Sequence, residues 1–131
     1  MQTRFKEMCL PEYSNPPIHG ARIVNEILSS EELTREWKEE LKQMSERLKN
    51  IRNLVVERLR ELGSTHSWCH IEKQIGMFAY TGLKAEMVEE LKRDYSIYLP
   101  VDGRISLASL NPNNIEYFCQ AVHQVTKDKN I

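Results

Sequence analysis

The sequence contains few of the features by which many functional classes are recognised. Its 131 residues include three cysteines, far apart at Cys9, Cys69 and Cys119. They form neither the dense set of a disulfide framework nor a Cys-x-x-Cys zinc motif, so we expect a reducing compartment. The formal net charge of -1 gives no basic excess of the kind that nucleic-acid binding requires.

Long apolar runs are also missing. No stretch approaches the roughly 20 apolar residues of a membrane span, and residues 1–15 are charged, without the apolar segment of a secretory signal. Gly76 and Gly82 are not part of a Gly-x-x-x-x-Gly-Lys-Ser/Thr phosphate loop. The histidines are scattered, and we predict surface side chains rather than metal ligands for His19, His66, His70 and His123.

Two stretches stand out, namely QIGMFAYTGL at residues 74–83 and VDGRISLASL at residues 101–110. The first predicts a strand at residues 75–80, because it is rich in β-prone apolar residues and contains flanking glycines. The second opens with a Val-Asp-Gly turn, after which Arg104 begins a strand. An arginine at the mouth of a strand could hold a carboxylate through two parallel hydrogen bonds. The alternative is a solvated arginine at the edge of a strand.

Most of the remaining pattern is helical. The spacing of apolar residues predicts a helix at residues 18–28 and a much longer helix at residues 31–62. Ser29 and Glu32 match a capping box at its start, and Gly63 has the position of a left-handed C-terminal cap. We expect one apolar seam of this helix to face the sheet, formed by Trp37, Leu41, Met44, Leu48, Ile51 and Val55. A coiled-coil strand is the alternative to such a spine helix.

Short strands and helices alternate towards the C-terminus. Helical spacing is found at residues 84–94 and again from Asn111 to Thr126, and residues 96–99 have the composition of another short strand. Trp68 is expected to fill the core rather than to stack on a base, because no basic patch accompanies it. The order of elements predicts an α/β sandwich with a small, mainly antiparallel sheet.

These motifs together resemble a known family. QIGMFAYTGL followed by DGRISLA, with SNPPIHGARIV upstream, is similar in order and spacing to the C-terminal part of aspartate aminotransferases, which are fold-type I pyridoxal-phosphate enzymes. The likeness runs from Tyr13 to Lys127 and covers most of the chain. It implies the small domain of such an enzyme, with a long spine helix and shorter helices packed on a small, mainly antiparallel sheet. Residues 1–15 would be an extended segment and residues 16–131 the small domain, preceded by one helix of the large-domain side.

The resemblance also implies roles for individual residues. Arg104 of DGRIS matches the arginine that binds the substrate α-carboxylate, and Phe78 of GMF matches a residue that lines the substrate pocket. Ser14 and Asn15 of SNPP match a segment that approaches the active site of the neighbouring subunit in the family homodimer. Leu10 stands where the family usually has a second arginine, which binds the side-chain carboxylate of aspartate or glutamate.

One essential part of the family's chemistry has no counterpart here. The lysine that forms a Schiff base with pyridoxal phosphate lies in an SKNFG-like segment, and this sequence contains no such segment. No catalytic residue and no metal ligand is therefore assigned. We expect this chain alone neither to bind pyridoxal phosphate nor to transaminate.

The implied function is part of an aspartate aminotransferase, which transfers an amino group between aspartate and 2-oxoglutarate. The implied partners are amino-acid and 2-oxo-acid substrates and a second copy in a homo-oligomer, with no nucleic acid and no membrane span. The alternative is a non-catalytic helical module for interaction or oligomerisation. The segments GSTHSW and HQVTK resemble mitochondrial members, which implies the mitochondrial matrix, with the cytoplasm as the alternative.

Overall fold

The structure, a computed structural model, describes Arg4, Glu7, Met8 and residues 17–129. Within this part of the chain the elements follow one another as α1 (His19–Ser29), α2 (Glu31–Glu61), α3 (Cys69–Lys73), β1 (Phe78–Tyr80), α4 (Ala85–Tyr95), β2 (Arg104–Ser106), a 3-10 turn (Leu107–Ser109) and α5 (Ile115–Thr126). The extended segment predicted for residues 1–15 lies largely outside the described residues.

The chain divides into two compact units, Met1–Gln43 and Met44–Ile131, with the boundary inside α2. The division predicted between residues 15 and 16 stays a prediction. No helix among the described residues combines the length and the apolar character that are needed to cross a membrane.

In the first unit, α1 ends at Ser29 and α2 begins after Ser30. The Ser30 hydroxyl oxygen accepts a hydrogen bond from the Leu33 backbone N–H at 3.3 Å, which satisfies one of the donors left open in the first helical turn. The capping box predicted at Ser29 and Glu32 is therefore wrong by one residue, because Ser29 still belongs to the preceding helix.

The C-terminal end of α2 has the predicted cap. Gly63 has a φ of +78°, and its N–H donates to the Arg60 carbonyl while the Ser64 N–H donates to the Leu59 carbonyl. This pair of bonds is the Schellman motif, which favours glycine at the left-handed position. Trp68 follows in the loop and is buried, as predicted. Its indole N–H donates to the Ser64 hydroxyl at 2.9 Å.

The core of the second unit lies between the second half of α2, the strands, α4 and α5. Its fully buried side chains include Val55, Val56, Leu59, Leu91, Leu107, Cys119, Val122 and Val125. The helix predicted at residues 84–94 is confirmed as α4, and its Val88 and Leu91 point inwards as expected. The apolar spacing of the last helix predicts an inward face, and this is confirmed, although regular helix begins at Ile115 rather than at Asn111, after a turn. The buried residues of this face are Ile115, Phe118, Cys119, Val122 and Val125.

The apolar seam predicted along α2 is only half correct. Ile51 and Val55 are buried, but Trp37 and Leu41 are each 41% exposed and Met44 is 55% exposed. Ile51 and Val55 belong to the core of the second unit, whereas Trp37 and Leu41 belong to the first unit. The helical period indicates which residues share a face, but it does not indicate how much of that face other elements cover.

The sheet consists of β1 and β2, which pair antiparallel. The antiparallel prediction is confirmed, but two of the predicted strands differ. The strand expected at residues 75–80 is shortened to its last three residues. The strand expected at residues 96–99 does not form, because Ser96 has a φ of +53° and caps α4, with the Ile97 N–H donating back to the Leu91 carbonyl.

Candidate functional site

A cavity of about 540 Å³ lies beside the two-stranded ribbon, and we call it the ribbon cavity. Its lining residues are Phe78, Ile97, Tyr98, Leu99, Pro100, Arg104, Ile105, Ser106, Ser109, Leu110, Asn114, Tyr117 and Phe118. Both residues that the sequence analysis linked to the substrate, Phe78 and Arg104, therefore line the same cavity.

The register of the ribbon explains why these two side chains come together. Phe78 pairs with Ser106, and Tyr80 pairs with Arg104. Because side chains alternate between the two faces of a strand, these four residues share one face. The middle pair, Ala79 and Ile105, takes the opposite face and is buried in the core.

A tight turn places Arg104 at the start of β2. The turn is closed by a 2.9 Å hydrogen bond from the Gly103 N–H to the Pro100 carbonyl. Gly103 has a φ of +74°, and a β-carbon there would lie 2.9 Å from the Leu83 carbonyl oxygen. Glycine is required for both reasons, since other residues rarely adopt this φ and the space is already filled.

The end of the first motif is fastened to this turn. Thr81 donates its hydroxyl to the Gly103 carbonyl at 2.6 Å and its backbone N–H to the same oxygen at 3.2 Å. The threonine side chain is buried at 2% exposure, so these bonds are shielded from competition by water. Hydrogen bonds thus connect residues 74–83 with residues 101–110 at Gly103, immediately before Arg104.

Arg104 and Asp102 form a local ion pair at the mouth of the cavity. The guanidinium Nε lies 2.8 Å from one carboxylate oxygen of Asp102, and both side chains are half or more exposed. The other carboxylate oxygen accepts the Arg104 backbone N–H at 3.1 Å. Exposed pairs of this kind contribute only about 0–1 kcal/mol. This ion pair uses Nε of Arg104 and not its two Nη groups.

A buried arginine that the sequence analysis missed supports the segment leading to Phe78. Arg52 is 4% exposed, and its guanidinium donates to the backbone carbonyls of Ile71 at 3.2 Å and Gly76 at 2.7 Å. Burial lowers its pKa from the ordinary arginine value. The signal was present in the sequence, because Arg52 lies one turn before Val56 on the buried side of α2.

The other edge of β1 is closed by a side chain. The Gln74 amide accepts from the Tyr80 N–H at 2.7 Å and donates to the Tyr80 carbonyl at 3.0 Å. It thereby satisfies the backbone N–H and the carbonyl of Tyr80, with which an additional strand could otherwise pair. The Gln74 side chain thus holds the backbone of Tyr80, and the Arg52 guanidinium holds the carbonyls of Ile71 and Gly76. The chain is therefore fixed on both sides of Phe78.

The remaining predicted positions have different outcomes. Leu10, Ser14 and Asn15 lie outside the described residues, so their roles stay predictions. His19 is exposed, but the expectation of plain surface side chains is too simple for the other three histidines, which are half-buried. His66 and His70 hydrogen-bond to the carbonyls of Thr126 at 2.8 Å and Thr81 at 3.2 Å.

The chemistry of the lining defines what the cavity can do. Among the described residues, no group of three or more histidine, cysteine or acidic side chains is placed to hold a metal ion. No lysine is found among the described residues of the lining, so these residues do not supply the amine that a Schiff base with pyridoxal phosphate needs. They offer the guanidinium of Arg104, aromatic and aliphatic walls, and a few hydroxyl and amide groups.

Comparison with known proteins gives a consistent result. Residues 3–122 match the family described as Aminotransferase class I and II. The mitochondrial aspartate aminotransferase of Dictyostelium discoideum is 48% identical over 128 residues, which are 98% of this chain and 30% of that protein. The mitochondrial aspartate aminotransferase of Gallus gallus is 47% identical over 127 residues, or 97% of this chain and 30% of that protein. The chain thus spans about 30% of the length of these relatives.

Solved structures show the same likeness in three dimensions. A mitochondrial aspartate aminotransferase from Trypanosoma brucei superimposes with a TM-score of 0.92 at 47% identity, covering 95% of this chain and 32% of that one. An aromatic-amino-acid aminotransferase from Burkholderia pseudomallei, covalently bound to pyridoxal phosphate, gives a TM-score of 0.91 at 38% identity over 94% of this chain and 31% of that one. The mainly helical unit with its small antiparallel sheet therefore has the fold of part of an aminotransferase.

Proposed function

The chain belongs to the class I and II aminotransferase family, and from this premise we propose that it forms the substrate-carboxylate site of an aspartate aminotransferase. The observation that carries the proposal is that Phe78 and Arg104 line one cavity. The resemblance of the two motifs had assigned substrate contacts to the same two positions. The chain spans about 30% of the length of its curated relatives. We therefore assign to it the substrate-carboxylate site alone, and not the complete transamination reaction.

In this proposal Arg104 holds the α-carboxylate of the amino-acid or 2-oxo-acid substrate. The substrate carboxylate joins or replaces Asp102 at the guanidinium, because the present pair uses Nε and is exposed to water. The two Nη groups then give the parallel hydrogen bonds that orient the carboxylate. Phe78 covers one side of the substrate and limits the access of water from that side.

Pyridoxal phosphate belongs to the proposal only in the assembled enzyme. Bound to a lysine, it would supply the electron sink for amino-group transfer. The described residues of the ribbon cavity include no lysine, and we propose that the cofactor is held by a segment that this chain does not provide. The chain alone would then bind the substrate carboxylate without transaminating.

We extend the proposal to assembly and location. Ser14 and Asn15 would approach the active site of a second copy in a homodimer. The α1 helix presents the exposed apolar side chains Ile23, Val24 and Leu28, which supports association through this face.

The names of the relatives from Dictyostelium discoideum and Gallus gallus favour the mitochondrial matrix. A cytoplasmic aspartate aminotransferase from Saccharomyces cerevisiae, 38% identical, keeps the cytoplasm as the second candidate.

The same apolar face favours a second candidate function, a non-catalytic helical module for interaction or oligomerisation. The two functions differ in one respect that can be measured. An interaction module would need α1 but would be indifferent to the chemistry at Arg104. The carboxylate site requires a guanidinium at Arg104 whatever covers α1.

The deciding experiment is a chimera in which this chain replaces the matching 30% of the Dictyostelium discoideum enzyme. We expect the purified chimera to carry pyridoxal phosphate and to transaminate amino acids with 2-oxoglutarate. The unaltered Dictyostelium discoideum enzyme and the same enzyme truncated before the matching segment are the controls. A chimera that folds and binds the cofactor but transaminates no amino acid would contradict the proposal.

A further inference from the structure

The peptide unit between Gly103 and Arg104 is held at both of its ends. Its carbonyl oxygen accepts the Thr81 hydroxyl at 2.6 Å and the Thr81 backbone N–H at 3.2 Å. Its N–H donates to a carboxylate oxygen of Asp102 at 3.1 Å. Because a peptide unit is planar, fixing both ends fixes its orientation. That orientation, with the strand that follows, sets the direction in which the Arg104 side chain leaves the backbone.

The two ends of this peptide unit differ in their exposure to water. Thr81 is buried, whereas the Asp102 side chain is half exposed. A hydrogen bond in a buried, low-dielectric environment is stronger than one for which water competes. In the proposed function the Asp102 carboxylate also competes with the substrate for the Arg104 guanidinium. The bond from the Thr81 hydroxyl is therefore the more durable of the two.

Thr81 is itself fixed by two further hydrogen bonds. Its hydroxyl oxygen accepts the Leu83 backbone N–H at 3.2 Å. Its carbonyl oxygen accepts the Nε2–H of His70 at 3.2 Å, and the ring of the buried Trp68 lies beside the His70 ring, with 6.2 Å between the ring centres. The threonine therefore presents its hydroxyl proton to the Gly103 carbonyl from a fixed position.

The contact between Thr81 and the turn is close, but Thr81 is not among the described residues of the cavity lining. A β-carbon at Gly103 would lie 3.0 Å from the Thr81 hydroxyl oxygen, so the turn and the threonine are in direct contact. Any contribution of Thr81 to ligand binding in the ribbon cavity must therefore pass through Arg104.

We propose that Thr81 is a positioning residue for substrate binding. Its buried hydroxyl holds the peptide unit before Arg104 and so keeps the guanidinium oriented towards the substrate carboxylate before the substrate arrives. Less conformational freedom is then lost on binding. The inference rests on the proposed function, because it requires that Arg104 binds the carboxylate.

Thr81→Val in the chimera tests the inference, since it replaces the hydroxyl by a methyl group of similar size. We expect KM for both aspartate and phenylalanine to rise about three- to tenfold, the range of one lost uncharged hydrogen bond, with kcat per active site unchanged. Active sites are counted from the absorbance of bound pyridoxal phosphate. A purely structural role would lower the number of active sites and leave KM unchanged. Thr81→Ser keeps a hydroxyl and should restore KM.

Thr126→Val is the matched control. Thr126 is also fully buried, and its hydroxyl also donates to a backbone carbonyl, that of Val122 at 2.7 Å. Its own carbonyl likewise accepts a hydrogen bond from a histidine, His66, at 2.8 Å. It lies on α5 and is not among the described residues of the lining. Thr126→Val should lower stability in urea denaturation, as Thr81→Val does, and leave KM unchanged.

A double-mutant cycle with Arg104→Lys shows whether the effect of Thr81 passes through Arg104. Substitutions that act through one group are not additive, whereas independent ones are. In the Arg104→Lys background, Thr81→Val should therefore change kcat/KM by less than about twofold. If Thr81→Val does not fold, Thr81→Cys takes its place with the same expected results, because a thiol is only a weak hydrogen-bond donor.

The possible results distinguish the inference from the proposed function. An unchanged KM in the folded Thr81 variant, together with a loss in Arg104→Lys, would overturn the inference and keep the carboxylate site. Equal losses with and without Arg104→Lys, or no recovery in Thr81→Ser, would show that the Thr81 hydroxyl does not act through Arg104. Arg104→Lys without any loss would overturn the proposed function, and the inference with it.

Discussion

Phe78 and Arg104 occupy diagonal positions on one face of the two-stranded ribbon, since Phe78 pairs with Ser106 and Arg104 pairs with Tyr80. The two residues are 26 positions apart in the sequence, a difference read directly from their numbers. Diagonal neighbours on one face of an antiparallel pair lie about 7–8 Å apart, within reach of one bound molecule. A shift of the register by one residue would turn one of the two side chains into the core.

Replacing Arg104 by lysine in the chimera should lower kcat/KM for all amino-acid substrates alike. The charge is kept, but the planar fork that makes two parallel hydrogen bonds is lost. One lost hydrogen bond to a charged group corresponds to about 1.5–3 kcal/mol, or roughly ten- to hundredfold in kcat/KM. Steady-state kinetics with aspartate and phenylalanine provide the measurement.

Arg93→Lys is the matched control for this experiment. Arg93 also pairs with a neighbouring aspartate, Asp94, and is exposed, but it does not line the ribbon cavity. Its substitution should leave the kinetics unchanged. Equal losses in both variants would indicate a general effect of arginine replacement and would contradict a role for Arg104 in substrate binding.

Leu10→Arg should increase the preference of the chimera for aspartate. The family resemblance places a second arginine at this position, where it binds the side-chain carboxylate, and leucine cannot form that ion pair. The gain for aspartate should be about 1.5–3 kcal/mol, or ten- to hundredfold in kcat/KM, with little change for alanine or phenylalanine. A chimera that strongly prefers aspartate with Leu10 intact would refute this prediction and point to another cation, such as Arg4 or Lys6.

Alanine substitutions along α2 should show which part of the helix is packed against other parts of the protein. Leu59→Ala should lower the free energy of unfolding by about 2–5 kcal/mol, because this side chain is 1% exposed and its removal leaves a cavity. Leu41→Ala is the matched control and should change stability by no more than about 0.5 kcal/mol, since Leu41 is 41% exposed. Urea denaturation of both variants gives the comparison. A large loss for Leu41→Ala would mean that a second copy covers this part of the helix.

The exposed apolar face of α1 should drive self-association. Val24 and Leu28 lie one turn apart on this helix and are 55% and 56% exposed, so Val24→Lys should weaken a dimer that Asn25→Lys leaves intact. Sedimentation over micromolar concentrations measures the effect. A monomer at all concentrations in the unaltered chain would show that this face does not bind a second copy.

The buried thiol of Cys119 should be inert in the folded chain. Burial raises its pKa to about 12, so at pH 8 only about one molecule in ten thousand carries the reactive thiolate. Cys69 is exposed and serves as the internal control. Alkylation at pH 8 followed by peptide mass spectrometry should label Cys69 and spare Cys119 until urea unfolds the chain. Equal labelling of both in the folded state would contradict the burial of Cys119.

The sequence by itself determined the features that depend on neighbouring residues. The inward faces of α4 and α5 follow from helical spacing, and the cap at Gly63 and the turn ending at Gly103 follow from glycine's access to positive φ. The sequence also predicted the aminotransferase family, through motifs that proved to lie together, and it named Phe78 and Arg104 as substrate residues. The sequence could propose these two residues because both belong to short contiguous motifs, and their role in substrate binding stays a prediction.

Only the tertiary structure decided what depends on distant partners. Periodicity could not show that Trp37 and Leu41 are exposed, because the coverage of a helix depends on which distant parts of the chain pack against it. The sequence also gave no strand register, so it could not place Phe78 and Arg104 on one face of the ribbon. The hydrogen bonds of Arg52 to two backbone carbonyls were equally hidden. Such contacts form between segments far apart in the chain, and local propensity carries no information about them.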